Sequence, residues 1–155
     1  MILFVYPIIL MIFTKVKYLD FFKGISPAQM LAFSTSSSAA TLPVTMERCE
    51  DHLGVSDEVS SFVLPLGATI NMDGTSLYQA VAAVFIAQAY GLDLDMEQQL
   101  TIVLTATLAS IGAAAVPGAG MVMLVIVLGA IGVPSEGLAL IFGVDRILDM
   151  MRTVV

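Results

Sequence analysis

The five residues Asn71-Met72-Asp73-Gly74-Thr75 interrupt an apolar stretch that runs from Val59 to Gly91. This stretch is longer than the ~20 apolar residues that cross a bilayer as one helix. Asn, Asp and Gly all disfavour a helix interior, because short polar side chains compete for backbone hydrogen bonds and Gly adds backbone freedom. An ionisable residue at membrane depth is costly and points to function. The sequence therefore predicts a broken membrane-spanning helix over residues 57–91.

The composition of the whole chain also indicates a membrane protein. Of its 155 residues, 58% are hydrophobic and 12% are charged, and the mean hydropathy is +0.96. Soluble domains carry roughly 45–50% apolar and about 25% charged residues. The net charge of −7 excludes nucleic acid as a partner, because phosphate binding needs clustered Lys and Arg. Cys49 and His52 are the only residues of their types, so disulfides, zinc clusters and a catalytic base for the serines are not expected, and neither is an enzyme.

Two further apolar stretches are interrupted at their centres. Ile25–Met46 contains the hydroxyl-rich run Ser34–Ser38, and Leu100–Val133 contains the Gly- and Pro-rich run Gly112–Gly120. Proline removes a helical hydrogen bond and glycine weakens a helix, so neither stretch is expected to be one continuous helix. Each half of the longer stretch has roughly 12–14 residues, which suits a re-entrant arm. The sequence predicts re-entrant hairpins over residues 25–56 and 92–134.

The order of these segments repeats along the chain. A hairpin precedes a polar-centred helix at 57–91, and a second hairpin precedes the start of a last membrane helix at 135–155. Interrupted hydrophobic segments in two corresponding halves point to a transporter binding site. The predicted fold is an all-α integral membrane protein with two inverted repeats, preceded at 1–24 by the end of a truncated transmembrane helix and a cytoplasmic loop. The inverted orientation follows from the positive-inside rule, since the basic residues near the first hairpin are Lys15, Lys17, Lys23 and Arg48.

The last segment carries four polar residues on one helical face. Asp145, Asp149, Arg152 and Thr153 are spaced at i, i+4, i+7 and i+8. Each charge at the bilayer centre costs at least ~2.5–3.5 kcal/mol, so a functional reason is expected. An aspartate can bind an ammonium group and the arginine fork can bind a carboxylate, which together suit an acidic amino acid. The alternative is that Asp149 and Arg152 pair only with each other.

The polar centre of 57–91 suggests a cation site. Asn71, Asp73 and the backbone carbonyls freed near Gly74 are hard oxygen ligands of the kind that coordinate Na⁺ in unwound helices. The expected intramembrane charges sum to −1, and an acidic amino acid would add a second negative charge. These charges belong to Asp73, Asp145, Asp149, Arg146 and Arg152. Because uncompensated charge is unfavourable at low dielectric, cotransport of a cation is predicted.

Four motifs give the chain a specific resemblance. They are Ser36–Pro43, Asn71–Thr75, Val116–Gly120 and Asp145–Thr153, and they occur in the same order over nearly the whole chain. The chain resembles the C-terminal transport-domain half of the dicarboxylate/amino acid:cation symporters, the glutamate transporter family. Because helical patterns begin and end abruptly, we expect the chain to be a fragment of such a symporter.

The resemblance implies roles for individual residues. Asp149 and Arg152 would hold the ammonium group and the side-chain carboxylate of the substrate, with Thr75 and Thr153 hydrogen-bonded to it. The hairpin tips would close over it through Ser37, Ser38, Val116, Pro117, Gly118, Ala119 and Gly120. Sodium sites would be formed by Gly67, Asn71 and Asp145, by Asn71 with Asp73, and by the backbone of Thr69, Ser110, Ile111 and Ala113. Some family members carry an arginine where this chain has Ser36, and Arg146 is the candidate to supply that charge.

The resemblance also implies a mechanism and partners. The second hairpin would act as the extracellular gate, and the domain would move like an elevator against a scaffold. The full-length protein would be a homotrimeric, multi-pass protein of a bacterial-type inner or plasma membrane that transports L-glutamate or L-aspartate. Na⁺ is the expected coupling ion, H⁺ is the alternative, and no other cofactor is expected. A C4-dicarboxylate:cation symporter of the same family and a non-transporting pore or structural bundle are the other functions considered.

Overall fold

A computed structural model describes all 155 residues. Its regular secondary structure consists of helices only, with no strands. The all-α prediction is therefore confirmed. None of these helices combines the length and the apolar character that crossing a membrane requires. The α-helices are α1 (Val5–Phe13), α2 (Tyr18–Thr35), α3 (Ser38–Leu53), α4 (Asp57–Ile70), α5 (Asp73–Ala89), α6 (Met96–Ile111), α7 (Ala119–Ala130) and α8 (Ala139–Val154), with a 3₁₀ helix at Ser135–Leu138 before α8.

The helices α2 and α3 form a hairpin whose tip is only two residues long. Ser36 ends α2 in the left-handed conformation, with φ of 51°, and Ser37 begins α3 as its N-cap. The Ser37 hydroxyl accepts a hydrogen bond from the Ala40 amide at 3.2 Å, which satisfies one of the free amides of the first turn. The two helices pack against each other along their lengths.

The second hairpin, α6 and α7, has a longer tip between Ile111 and Ala119. A capping box starts α6, since the Asp95 carboxylate accepts from the Gln98 amide while the Gln98 side chain accepts from the Asp95 amide. Gly118 precedes α7 with φ of 79°, a conformation that favours glycine. Pro117 and Gly118 thus separate the two arms of this hairpin.

The hydrophobic core lies where α5 packs against this second hairpin. Ile86, Leu124, Val127 and Leu128 are fully buried there. Small residues on the facing helices, such as Ala83, allow the helices to approach closely. Helix α8 also packs against α5, which brings the Asp145–Thr153 segment next to the second half of the broken helix. Large apolar side chains elsewhere are exposed, including Phe62, Leu104, Val122 and Phe142.

The boundary expected near residue 24 differs in the structure. Helix α2 begins at Tyr18, so part of the charged segment at residues 15–23 is helical rather than a loop. Lys17 has extended backbone and provides the N-cap, and Asp20 lies in the first turn. A carboxylate in the first turn is stabilised by the positive end of the helix dipole, which favours an earlier start.

Candidate functional site

A cavity of about 140 Å³ lies where the interrupted segments meet. Its lining comes from both hairpin tips, from the break between α4 and α5, and from the end of α8. The lining residues are Ser36, Ser38, Gly67, Ala68, Asn71, Met72, Asp73, Gly74, Thr75, Ala113, Ala114, Ala115, Val116, Ala119, Gly120, Asp149, Arg152, Thr153 and Val155. The structure therefore brings four separate sequence motifs to one polar space.

Three helices begin at this cavity. The first turns of α3, α5 and α7 contribute Ser38, the run Asp73–Thr75, and the pair Ala119 and Gly120. The first amides of a helix have no intrahelical acceptor and carry the positive end of the helix dipole. Such ends bind carboxylates and phosphates without further side chains. This part of the cavity is therefore suited to an anionic group.

Helix C-termini border the same cavity. Gly67 and Ala68 come from the end of α4, and Ala113 to Val116 follow the end of α6. The backbone carbonyls of Ala68, Thr69 and Ile70 accept no backbone hydrogen bond, and neither does that of Ile111. No group of three or more His, Cys, Asp or Glu side chains is placed to hold a metal ion. The free carbonyl oxygens are hard ligands of the kind that coordinate Na⁺ in unwound helices.

The central charged pair is Asp149 and Arg152 on α8. Oδ1 of Asp149 accepts from Nε of Arg152 at 2.9 Å and lies 2.8 Å from its Nη2. Oδ2 of Asp149 accepts from the Gly118 amide at 2.9 Å, at the start of α7. Both side chains are buried. The mutual pairing that the sequence left open is thus formed, and it occurs at the wall of the cavity.

Arg152 also contacts a tyrosine and a second aspartate. Its guanidinium carbon lies 4.5 Å from the centre of the Tyr78 ring, a cation–π contact, and Nη1 lies 3.8 Å from the Asp145 carboxylate. The Tyr78 hydroxyl donates to Asp145 at 2.6 Å. Nη1 itself has no hydrogen-bond partner although it is buried. A side chain at Gly120 would overlap this guanidinium, so the glycine allows Arg152 to pack against α7.

The two hairpin tips are bonded to each other. The carbonyl of Ala115 accepts from the Ser37 hydroxyl at 3.0 Å and from the Ala39 amide at 3.2 Å. Ser36, the other residue of the first tip, is buried and its hydroxyl has no partner. Two segments that are far apart in the sequence are thus joined, and both contribute residues to the cavity lining.

Most of the residues expected to contact a substrate line the cavity. These are Ser38, Thr75, Val116, Ala119, Gly120, Asp149, Arg152 and Thr153. Ser37, Pro117 and Gly118 do not line it, although Ser37 and Gly118 bond to residues that do. Ser36 lines it too, and the hydroxyl-rich tip of the first hairpin was the signal that could have indicated it.

The residues expected to bind sodium are divided in the structure. Gly67, Asn71, Asp73 and Ala113 line the cavity, whereas Thr69, Ser110 and Ile111 do not. Asp145 does not line the cavity, and its carboxylate contacts Tyr78 and Arg152. Its expected grouping with Gly67 and Asn71 stays a prediction.

Arg146 does not have the position expected for it. It is exposed, forms no ion pair and does not line the cavity. Its spacing explains the difference, because a residue next to Asp145 points about 100° away from it on a helix. The charges that line the cavity are two carboxylates and one guanidinium, which leaves one net negative charge.

Broken helices whose ends meet at one polar cavity are characteristic of the binding sites of secondary transporters. A sequence profile of the sodium:dicarboxylate symporter family matches residues 1–155. Excitatory amino acid transporter 2 of Mus musculus is 54% identical over 149 residues, which is 96% of this chain and 26% of that protein. Excitatory amino acid transporter 3 of Mus musculus is 53% identical over 99% of this chain and 29% of its own length. An excitatory amino acid transporter of Caenorhabditis elegans is 52% identical over 95% of this chain and 29% of its own length.

The chain belongs to the sodium:dicarboxylate symporter family. The family and these relatives are transporters rather than enzymes, as the sequence predicted. The chain spans less than a third of the length of these three relatives.

Proposed function

We propose that the chain forms the binding core of a secondary active transporter that carries an acidic amino acid, L-glutamate or L-aspartate, together with Na⁺. The observation that carries the proposal is the buried Asp149–Arg152 pair at a cavity bordered by helix N-termini and by free carbonyls. The names of the relatives, excitatory amino acid transporters, support the same substrate class.

The substrate replaces the contacts that the charged pair makes with itself. The ammonium group binds Asp149 in place of the arginine, and the side-chain carboxylate binds the arginine fork in place of Asp149. The α-carboxylate lies at the first turns of α3 and α5, where the Ser38, Asp73 and Gly74 amides have no acceptor and the hydroxyls of Ser38 and Thr75 are available. Each charge of the zwitterion thus meets an opposite charge or a helix dipole of the right sign.

The cation compensates the charge of the loaded site. The cavity lining carries one net negative charge, and an acidic amino acid adds another. Desolvating two uncompensated negative charges is strongly unfavourable, so a co-bound cation stabilises the complex. Asp73, Asn71 and the carbonyls at the end of α4 are the residues we assign to it. Protonation is the alternative source of compensation, and separate Na⁺ and pH gradients distinguish the two.

The apolar exterior is assigned to the lipid bilayer. Large exposed side chains such as Phe62, Leu104 and Phe142 would otherwise face water, whereas lipid is the partner that such surfaces require. In this proposal the full-length protein is a multi-pass plasma-membrane homotrimer, and the domain formed by residues 25–155 moves as an elevator. The second hairpin is its gate, since Ala115 joins the two tips and Gly118 contacts Asp149.

One observation favours a second substrate class. Both oxygens of Asp149 already have partners, Arg152 on one and the Gly118 amide on the other. A C4-dicarboxylate has no ammonium group and would leave the Gly118 contact intact. Binding of such a substrate would require Arg152 but not Asp149. Replacing Asp149 therefore distinguishes a C4-dicarboxylate from an acidic amino acid as the substrate.

The test is uptake by the full-length protein in proteoliposomes under an inward Na⁺ gradient, with matched vesicles carrying only a pH gradient. The proposal predicts Na⁺-driven uptake of labelled L-aspartate or L-glutamate, with weak competition by succinate. Asp149→Asn is expected to remove amino acid uptake. Succinate uptake that survives Asp149→Asn would support the second candidate, and uptake indifferent to both gradients would contradict symport.

A further inference from the structure

Tyr6 of α1 joins the proposed cation site to two other helices. Its hydroxyl donates to Oδ2 of Asp73 at 2.9 Å, and the same hydroxyl oxygen lies 3.2 Å from the carbonyl of Val155. Asp73 is the first residue of α5, and Val155 directly follows α8. One hydroxyl therefore links α1, the broken helix and the helix that carries the charged pair.

This hydroxyl is the only hydrogen-bond partner of the Asp73 carboxylate. Although Asp73 begins α5, its side chain does not cap the free amides of that helix. Its other oxygen, Oδ1, has no hydrogen-bond donor. Without Tyr6, nothing in the protein would select one orientation of this carboxylate, which could turn toward the α5 amides instead.

Tyr6 lies behind the carboxylate as seen from the cavity. Asp73 lines the cavity, and Tyr6 does not. The arrangement resembles that of metal ligands held by an outer hydrogen bond, which fixes the orientation of the ligating group. Oδ1 has no hydrogen-bond donor, and the α4 carbonyls that accept no backbone hydrogen bond, those of Ala68, Thr69 and Ile70, precede Asp73 by only three to five residues.

We propose that Tyr6 is a positioning residue for the coupling cation. Its hydroxyl holds the Asp73 carboxylate so that one oxygen is free to face the cavity. The affinity for the cation therefore depends on α1. The proposal rests on the proposed symport function, in which Asp73 binds the cation. It adds a residue from α1, a helix that contributes no residue to the cavity lining.

The test compares Tyr6→Phe with wild type in the full-length protein. Two quantities are measured: the Na⁺ concentration that gives half-maximal L-aspartate binding, and the rise of the unfolding temperature with Na⁺ in the absence of amino acid. We expect the half-maximal Na⁺ concentration to rise about tenfold, the low end of the effect of removing an outer hydrogen bond to a metal ligand. Binding capacity at saturating Na⁺ is expected to be unchanged.

Tyr18→Phe is the matched control. Tyr18 is also half-buried, and its hydroxyl donates to the Ile2 carbonyl at 3.0 Å, so this change removes an equivalent hydroxyl that ties α2 to the start of the chain. Its Na⁺ dependence is expected to equal that of wild type. Should Tyr6→Phe fail to fold, Tyr6→Leu removes the same hydroxyl, and the same shift is expected.

Three results would overturn the proposal, and they are distinguishable. Equal Na⁺ dependence in wild type, Tyr6→Phe and Tyr18→Phe would remove Tyr6 from the cation site. Reduced binding capacity with an unchanged half-maximal Na⁺ concentration would assign Tyr6 a purely structural role. Substrate binding by wild type that needs no Na⁺ would overturn the proposed cotransport function itself, and this inference with it.

Discussion

Asp149 and Arg152 meet at a single carboxylate oxygen: Nε and Nη2 of the arginine lie 2.9 and 2.8 Å from Oδ1 of the aspartate. Both side chains are buried, one helical turn apart on α8. A buried ion pair is a weak contributor to stability but a strong constraint on geometry. In the proposed transporter, the carboxylate of Asp149 and the guanidinium of Arg152 are fixed where they can bind the ammonium group and the side-chain carboxylate of the substrate.

Replacing Arg152 tests its role in substrate binding. In the proposed complex, Arg152→Ala would remove two charge-assisted hydrogen bonds to the substrate carboxylate, so the affinity for acidic amino acids is expected to fall by about 100-fold or more. Arg146→Ala is the control, because Arg146 lies on the same helix but is exposed and unpaired. The affinity of Arg146→Ala for L-aspartate is expected to equal that of wild type. Equal losses in the two variants, measured by equilibrium binding of labelled L-aspartate, would remove the special role of Arg152.

Gly120 gives a steric test of the same pair. A methyl group there would overlap the Arg152 guanidinium, whereas one at Gly129, on the same helix α7, would meet nothing within 4 Å. Overpacking of this kind typically costs about 1–3 kcal/mol. Gly120→Ala is therefore expected to lower both the unfolding temperature and substrate affinity.

Gly129→Ala is expected to leave affinity unchanged and to keep or raise stability, since alanine is the better helix former. The two variants would be compared by thermal unfolding with and without L-aspartate. Equal stability and affinity in both would show that Arg152 can leave its observed position at no cost.

Ser37 connects the two hairpin tips. Its hydroxyl accepts from the Ala40 amide and donates to the Ala115 carbonyl. Ser37→Ala removes an N-cap and the contact between tips, so the free energy of unfolding is expected to fall by about 1 kcal/mol. Ser34→Ala, which removes an exposed hydroxyl bonded only within α2, should change it by less than ~0.5 kcal/mol. A stability loss that is equal for the two serines would contradict the assigned contact.

Cys49 provides a pH-dependent probe near the C-terminal end of α3, within the charged segment Glu47–Glu58. Burial, with a smaller effect of the neighbouring Glu50 charge, raises the pKa of the Cys49 thiol above its ordinary value of 9.0. A raised pKa means less thiolate at any given pH below it, and thiolate is the reactive form. The rate of maleimide alkylation should therefore be low at pH 7 and still rise with pH above 9.

The control for this probe is Asp51→Cys in a Cys49→Ser background, because position 51 is exposed. Its alkylation is expected to be faster at pH 7 and to level off at a lower pH. Identical pH profiles for the two thiols would show that Cys49 lies in no special environment.

The helix breaks were predictable because their causes are local. Asn71, Gly118 and the serines of the first tip disfavour a continuous helix wherever they occur, and the structure ends or begins helices at those residues. The face shared by Asp149 and Arg152 likewise follows from helical periodicity. Helix starts were less accurate, since Tyr18 begins α2 within a charged segment.

The partners of the charged residues were not predictable from spacing. Tyr6 and Tyr78 contact Asp73 and Asp145 across 67 residues of sequence in each case. No periodicity relates residues that far apart, and a tyrosine in an apolar helix carries no signal of such a role. Asp145 was assigned to a cation site through the family resemblance, whereas the contact of its carboxylate with Tyr78 was visible only in the packed structure.

The most direct test of coupled binding at this cavity is equilibrium binding of L-aspartate to the full-length wild-type protein at low and high Na⁺, with ionic strength held constant by choline. If one cavity binds both, each must change the affinity for the other by the same factor. We predict that the Kd for L-aspartate falls at least tenfold at high Na⁺ and that L-aspartate tightens Na⁺ binding equally. A Kd that is the same at both Na⁺ concentrations would contradict cotransport through a shared site.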